Sequence, residues 1–334
     1  MSPRVGVVVP CRNERRHIVP LLDALAAQTR RPDQIVVVDD ASDDGTGEVV
    51  RAWAAAHPGA AAGVVEGNGR GIAAAVNAGI AILDTDVVVR LDGHCIPSTR
   101  YVELGERWCG DGSIGVAGGP WRIEPGRAGR QARAIAVAAA HPFGSGGAAY
   151  RSGRDSRPRD VETVPFGCFR RSTWSRLGGL NESLQANEDY EFNLRVRRSG
   201  LRVVLDPSMA CVYFARPSLA ALARQYLRYG RWKAEMLRLA PSSMRTRQVV
   251  PALLVPALVA AAVLTAMPRW RALGGAAIAA YAAVLLSAGL HAALTRHCVP
   301  LVAHIAAALG VMQVSWSVGF WGGLMARAVK VRSA

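Results

Sequence analysis

Three clusters of acidic side chains have the types and spacing to do chemistry. Asp92-Gly93-His94 sets a carboxylate and an imidazole on either side of a glycine, so both can point one way from a tight turn. That oxygen and nitrogen suit Mg2+ or Mn2+ bridging a diphosphate, where the cation neutralises charge growing on a leaving phosphate. Plain turn chemistry is the competing reading of an acid placed after a strand. Asp39, Asp40, Asp43 and Asp44 form the second cluster. Capping accounts for some of them, with Asp44 a cap candidate, and the surplus suits hydrogen bonds to a base or to ribose hydroxyls. The third is Asn187-Glu188-Asp189-Tyr190-Glu191. A carboxylate there suits proton abstraction from an acceptor hydroxyl, while a helix start favoured by the dipole explains the same acids.

The elements around these clusters predict how they are brought together. Val5 to Pro10 and Gln34 to Val38 are short β-branched strands with helical spacing across His17 to Gln28 between them. A helix over Gly45 to His57, a strand at Gly63 to Glu66, a helix over Gly71 to Ile82 and a strand at Val87 to Leu91 follow. Alternating βα units build a mainly parallel sheet with ligands at the carboxyl ends of its strands, so Asp39-Asp40 and Asp92-Gly93-His94 are expected on one rim. The Gly-, Arg- and Ala-rich Gly110 to Arg159 reads as a loop over that site. There is no GxSxG elbow, P-loop or HExxH pair, and Gly67-Asn68-Gly69-Arg70-Gly71 matches a dinucleotide loop only loosely.

Apolar residues, 51% of the chain, pile up after Val249, which predicts a soluble front and a membrane-embedded back. Val249 to Met267, Ala272 to Leu294 and Val299 to Met325 are of spanning length. Three full crossings would place the Arg327 to Arg332 tail outside, against the positive-inside tendency, so one stretch is a candidate for a re-entrant or interfacial position. Leu219 to Leu239, mixing Leu, Tyr and Trp with five basic residues, suits a helix at the lipid interface or a surface helix packed on the front domain. The expected division is residues 1–215 catalytic, 216–247 connector and 248–330 membrane domain. The net charge of +15 is scattered, with no zinc-finger or RNA-binding pattern, so a membrane face and a phosphorylated ligand explain it better than nucleic acid. Six isolated cysteines without a CxxC pair fit reduced thiols, and no cleaved signal peptide is apparent, so the front is expected in the cytoplasm at the inner or plasma membrane.

Taken in order, Val7 to Glu14, Ile35 to Thr46, Asn77 to Ile80, Arg90 to His94 and Asn187 to Glu191 resemble the inverting family 2 glycosyltransferases. Pro165 to Arg171 and Arg224 to Ala234 are most similar to the succinoglycan-type exopolysaccharide glucosyltransferases. The resemblance implies an α/β fold of the GT-A type, a nucleotide-diphospho-sugar transferase domain followed by transmembrane helices. It also implies transfer of a hexose from a UDP-sugar to a lipid-linked saccharide or polysaccharide, with a divalent cation, Mg2+ or Mn2+. On that resemblance Pro10, Glu14, Asp39 and Asp40 hold the nucleoside and Arg70 lies near the base or phosphates. Asp92 serves ribose and diphosphate and shares the cation with His94. Asp189 is the base, with Glu188 beside it. Gly167 and Cys168 line the acceptor side, and Gln225, Arg228, Arg231 and Trp232 offer diphosphate contacts and a stacking face. Two departures are visible: the usual DxD reads Asp92-Gly93-His94, and Tyr229 stands where processive synthases carry a tryptophan, which argues for adding one sugar per encounter. A polyprenyl-phosphate sugar transferase and a membrane scaffold with a decayed site are the rival readings.

Overall fold

A computed structural model describes residues 2–153, 156–239, 241–244 and 246–332. Two units emerge, Met1–Arg122 with Gly153–Tyr213, and Ile123–Ser152 with Phe214–Ala334.

Among the described residues the strands are β1 Val5–Cys11, β2 Gln34–Asp39, β3 Ala62–Glu66, β4 Val87–Arg90, β5 Cys95–Pro97, β6 Ile114–Gly118, β7 Trp121–Pro125, β8 Arg159–Asp160, β9 Cys168–Arg170, β10 Arg202–Leu205 and β11 Cys211–Ala215, all in the first unit except the last residues of β7 and β11. The first unit's helices are α1 Ile18–Ala26, α2 Thr46–Ala56, α3 Ile72–Ile82, α4 Tyr101–Cys109, α8 Arg171–Arg176 and α9 Glu188–Arg198. The main sheet runs β3-β2-β1-β4-β9-β6-β10-β8 and a small one β5-β11-β7. β1 is wholly buried and pairs in parallel with β2 and β4, as valine-rich strands covered on both faces do. Its register sets Cys11 against Asp39 and Val8 against Arg90, so the ends of β2 and β4 flank that of β1. A glycine is required where α3 crosses the sheet: a Cβ at Gly79 would lie 2.4 Å from Val8 Cγ2 and 2.9 Å from Val38 Cγ2. The two acidic strand ends therefore share one rim, as their order in the chain predicts.

The second unit holds α5 Arg130–Ala140, α6 Pro142–Ser145, α7 Ala149–Ser152, α10 Leu219–Leu239, α11 Thr246–Ala266, α12 Arg271–Thr295 and α13 Val302–Arg332. The stretch read as a loop, Gly110 to Arg159, is thus largely ordered into β6, β7 and α5–α7. Alanine, the best helix former, lets α5 pack tightly: Ala134, Ile135 and Ala138 share a core with Ala292, Leu301, Ile305 and Leu309.

Three stretches, Gln248–Ala266, Arg271–Thr295 and Val299–Ala326, are long and apolar enough to cross a membrane. Only 11% of each of the first two is buried within the chain, against 39% of the third. The third earns its burial from α10. A Cβ at Gly230 would come 2.0 Å from the Trp316 carbonyl oxygen, and one at Gly319 2.1 Å from that of Leu227, so glycines let the α10 and α13 backbones touch. α10 buries Lys233, whose Nζ donates to the Ser243 carbonyl at 2.7 Å. The side chains of the basic tail from Arg327 to Arg332 lie outside the described residues.

Candidate active site

Arg90, the last residue of β4, is the hub of the site and was not anticipated from the sequence. It is 5% exposed, and one Nη2 lies 3.0 Å from Asp92 Oδ1 and 3.0 Å from Glu188 Oε1. A buried guanidinium survives only when paired, and the pairing here joins the strand-end turn to the first turn of α9. Asn187, with φ +66°, turns the chain into α9 so that Glu188 and Asp189 lead it. A helix N-terminus ordinarily lowers the pKa of such acids, but burial wins here. Removal from water, opposed by Arg90 and helped by Asp189, pushes Glu188 up to about 7. Asp189 is raised too, chiefly by burial, although Arg90 and a hydrogen bond from the Tyr190 N–H oppose the shift. Glu191, in the same first turn, is held by Arg195 at 2.7 Å.

His94 is fixed from the neighbouring strand end. Its Nδ1 lies 3.0 Å from Glu14 Oε1, and Glu14 Oε2 lies 2.9 Å from His17 Nδ1. Burial opposes ionisation of Glu14, but hydrogen bonds and charge from His94 and His17 more than offset it, so its carboxyl lies below the usual range. The turn residue must be small: a Cβ on Gly93 would meet Cys11 Cβ at 3.0 Å and Glu14 Cγ at 3.2 Å. Behind His94, Tyr213 sits 5.6 Å away, centroid to centroid, and stacks on Trp121 at 4.0 Å and 4°. Phe166 extends this aromatic row, 5.6 Å from Trp121.

The acids at the end of β2 are spent differently. Asp40 accepts from the N–H groups of Gly69 and Gly71 at 2.8 and 2.9 Å, and Asp39 from that of Ser42 at 3.1 Å. Asp44 accepts from the N–H of Thr46 at 3.0 Å. All three brace turns. Together with Glu14 they surround Cys11 with negative charge, which adds to burial in pushing its thiol up to about 12. Asp40 also edges a cleft of about 320 Å3 with Asn68, Arg70 and Glu182, and Arg70 pairs with Glu182 at 2.6 Å. Pro10 is buried within β1, opposite Val38.

Cys168, expected on the acceptor side, is instead a packing residue. It has no exposed surface, faces Gly105, and its thiol is driven well above the usual range by burial. Gly167, also buried, offers its carbonyl to the Arg90 N–H at 3.0 Å. Gln225, Arg228, Arg231 and Trp232 belong to α10 of the second unit, where Gln225 Nε2 donates to Tyr229 Oη at 2.9 Å and both arginines are exposed.

Among the described residues no group of three or more His, Cys, Asp and Glu side chains is set to hold a metal ion. The residues nonetheless fit Mg2+ or Mn2+ bound with a diphosphate, since such ions take few protein ligands and complete their shell from phosphates and water. Glu14 on Nδ1 leaves His94 the Nε2 lone pair, the arrangement in which a carboxylate orients a metal-binding imidazole.

Comparison with known proteins agrees with this geometry. A family model described as Glycosyl transferase family 2 matches residues 6–165, and one described as Glycosyl transferase family 21 matches residues 167–334. The succinoglycan biosynthesis protein ExoA of Rhizobium meliloti is 30% identical over 96% of this chain and 94% of its own length. The glycosyltransferase AglE of Haloferax volcanii is 31% identical over 35% of this chain and 39% of its own. Among solved structures, the mannosyltransferase PcManGT from Pyrobaculum calidifontis, in complex with GDP-Man and Mn2+, superposes with a TM-score of 0.58 at 25% identity, covering 93% of this chain and 87% of that one. S. aureus TarS 1–349 in complex with UDP shares the fold, with a TM-score of 0.51 at 16% identity over 96% and 92% of the two chains.

Proposed function

The chain belongs to the family 2 glycosyltransferases, with a GT-A sheet and helices able to cross a membrane, and we propose that it moves a hexose from a UDP-sugar to a lipid-linked saccharide or polysaccharide with inversion at the anomeric carbon. The observation that carries this reading is Arg90 held between Asp92 and Glu188. It ties an acid suited to a donor diphosphate to the pair suited to an acceptor hydroxyl, which a single displacement requires to lie side by side.

In this mechanism Asp189 takes the proton as the acceptor oxygen attacks, because its raised pKa makes it a better base than an exposed carboxylate. Glu188, deeper and tied to Arg90, keeps the first turn of α9 in place. Asp92 and His94 would hold a divalent cation that, when bound, neutralises charge on the departing UDP. Glu14 keeps the His94 ring in orientation. The cleft edged by Asp40 and Arg70 suits the nucleoside end, with Pro10 and Asp39 shaping the strand ends beneath it. The Tyr213–Trp121 stack offers a flat face for a sugar ring. Gln225, Arg228, Arg231 and Trp232 belong to the same reading as contacts to the diphosphate and sugar. Mn2+ with GDP-Man in the mannosyltransferase and UDP in TarS support a nucleotide-sugar and cation chemistry. The apolar helices after α10 support a membrane location, and in this reading the catalytic unit lies on the cytoplasmic face of the inner or plasma membrane.

A panel of UDP- and GDP-sugars with purified protein, with and without Mn2+ or Mg2+, tests the proposal through nucleotide release. Cation-dependent release of UDP from one UDP-hexose, stimulated by a membrane lipid extract, is the expected result. Release from GDP-mannose alone, or at equal rates in excess chelator, would refute the donor or the cation assignment respectively.

A further inference from the structure

At the junction of α12 and α13 the second unit carries a cavity of about 570 Å3 that the transfer reaction does not use. Arg127, Arg130, Arg133 and His297 line it together with Pro300 and Leu301. The three arginines are exposed, no carboxylate lines the cavity, and none of the three makes an ion pair among the described residues. Three guanidinium groups gathered on one concave surface without an acid repel one another, a cost that an anionic occupant removes. α5 starts at the same place behind Gly129 with no side-chain cap, so its first N–H groups add to the positive potential.

The surroundings say what kind of anion fits. The cavity opens where two membrane-length helices meet, and Leu294 and Val299 beside it are 55% and 50% exposed. Apolar side chains left bare next to a basic pocket match a ligand with an acyl tail and a phosphate head. A soluble phosphate would satisfy the arginines and leave this apolar rim in water. α12 returns the chain to the face from which α11 departs, so the cavity stands at the headgroup level of that leaflet if both cross.

We infer that this cavity binds the phosphate headgroup of an anionic phospholipid. Arg127, Arg130 and Arg133 grip the phosphate oxygens, and the exposed Leu294 and Val299 take the first carbons of the chains. The site fixes the C-terminal helices in an anionic membrane. It stands independently of which sugar is transferred.

The test uses the full chain in detergent, with thermal stability followed as phosphatidylglycerol, phosphatidylcholine or inorganic phosphate is added. Phosphatidylglycerol is expected to stabilise the protein at concentrations about tenfold or more below those at which phosphatidylcholine acts, given a contribution of roughly fivefold per arginine near an anionic surface. R127Q/R130Q/R133Q should abolish that preference while melting in lipid-free detergent at or slightly above the wild-type temperature, since the mutual repulsion is gone, and the triple lysine variant should recover most of the preference. R269Q/R271Q, at the other end of α12, should leave the preference intact. A triple glutamine variant that still prefers phosphatidylglycerol would overturn the assignment, as would equal loss in R269Q/R271Q. Inorganic phosphate reproducing the whole effect at low millimolar concentration would overturn it in favour of a soluble anion. If the triple variant melts early even without lipid, native mass spectrometry of bound lipid on R130Q alone decides: unchanged phosphatidylglycerol retention contradicts the site.

Discussion

The acids at the end of β2 and those around the end of β4 look alike in sequence and lie on one rim, yet their partners divide them. Asp39, Asp40 and Asp44 accept from backbone N–H groups, so their charge holds turns in shape. Asp92 and Glu188 face the Arg90 guanidinium, and Glu14 faces two imidazoles. A carboxylate bound to backbone is spent on folding. One bound to a side chain keeps lone pairs that a ligand can share, and its environment can tune its proton. The kind of partner, more than the number of acids, distinguishes the end of the rim to which we assign the chemistry.

Arg90→Met should strike hardest short of removing the base. It leaves buried carboxylates unpaired, and the expected loss is about 3 kcal/mol or more of stability by denaturant unfolding. Transfer should fall with it, and Arg90→Lys should restore stability in part. A stable, active R90M protein would erase the distinction between the two ends. Glu14→Gln should weaken Mn2+ activation by roughly 10- to 100-fold, as loss of a carboxylate behind a metal-binding imidazole does, with little change in melting temperature. An unchanged Mn2+ titration would reassign Glu14 to packing alone.

Asp40→Asn sharpens the contrast from the other side. It replaces two charge-assisted acceptors by one oxygen and an unwelcome donor, at a cost of about 2 kcal/mol in stability, while turnover at saturating donor stays within a few fold. The reverse pattern, full stability and no turnover, would move Asp40 into the chemical group. The smallest effect is on pH dependence. Glu188 is raised from 4.5 to about 7 in the folded chain, so the stability it contributes is full below about 4.5 and is lost as pH rises through about 7. Glu188→Gln should flatten that decline in melting temperature between pH 5 and 8, and an unaltered slope would place the titration elsewhere.

Much of the first unit is legible in the sequence because its strands are buried on both faces and so must be valine-rich runs. β1, β2 and β4 announce themselves in this way, and the acids after them follow from the connection rules. The stretch from β6 to α7 does not, since its strands are short and its helix is alanine, a residue at home in loops, helices and tight packing alike. Cys168 reads as a site residue from its neighbours in sequence, but a three-residue strand put its side chain in the core. Arg90 carries a signal of its own, since a lone arginine in Val87-Val88-Val89-Arg90-Leu91 has to find buried acids, but only the fold reveals that Glu188, 98 residues away, is one of them.

In the proposed reaction the acids gathered by Arg90 act on an acceptor hydroxyl beside a bound nucleotide-sugar. Asp189→Asn, assayed in parallel for UDP affinity by calorimetry with Mn2+ and for sugar transfer, tests it most directly. UDP affinity within about twofold of wild type and transfer reduced by on the order of 10² to 10⁴ is the expected pair of results. Transfer at the wild-type rate would contradict the claim.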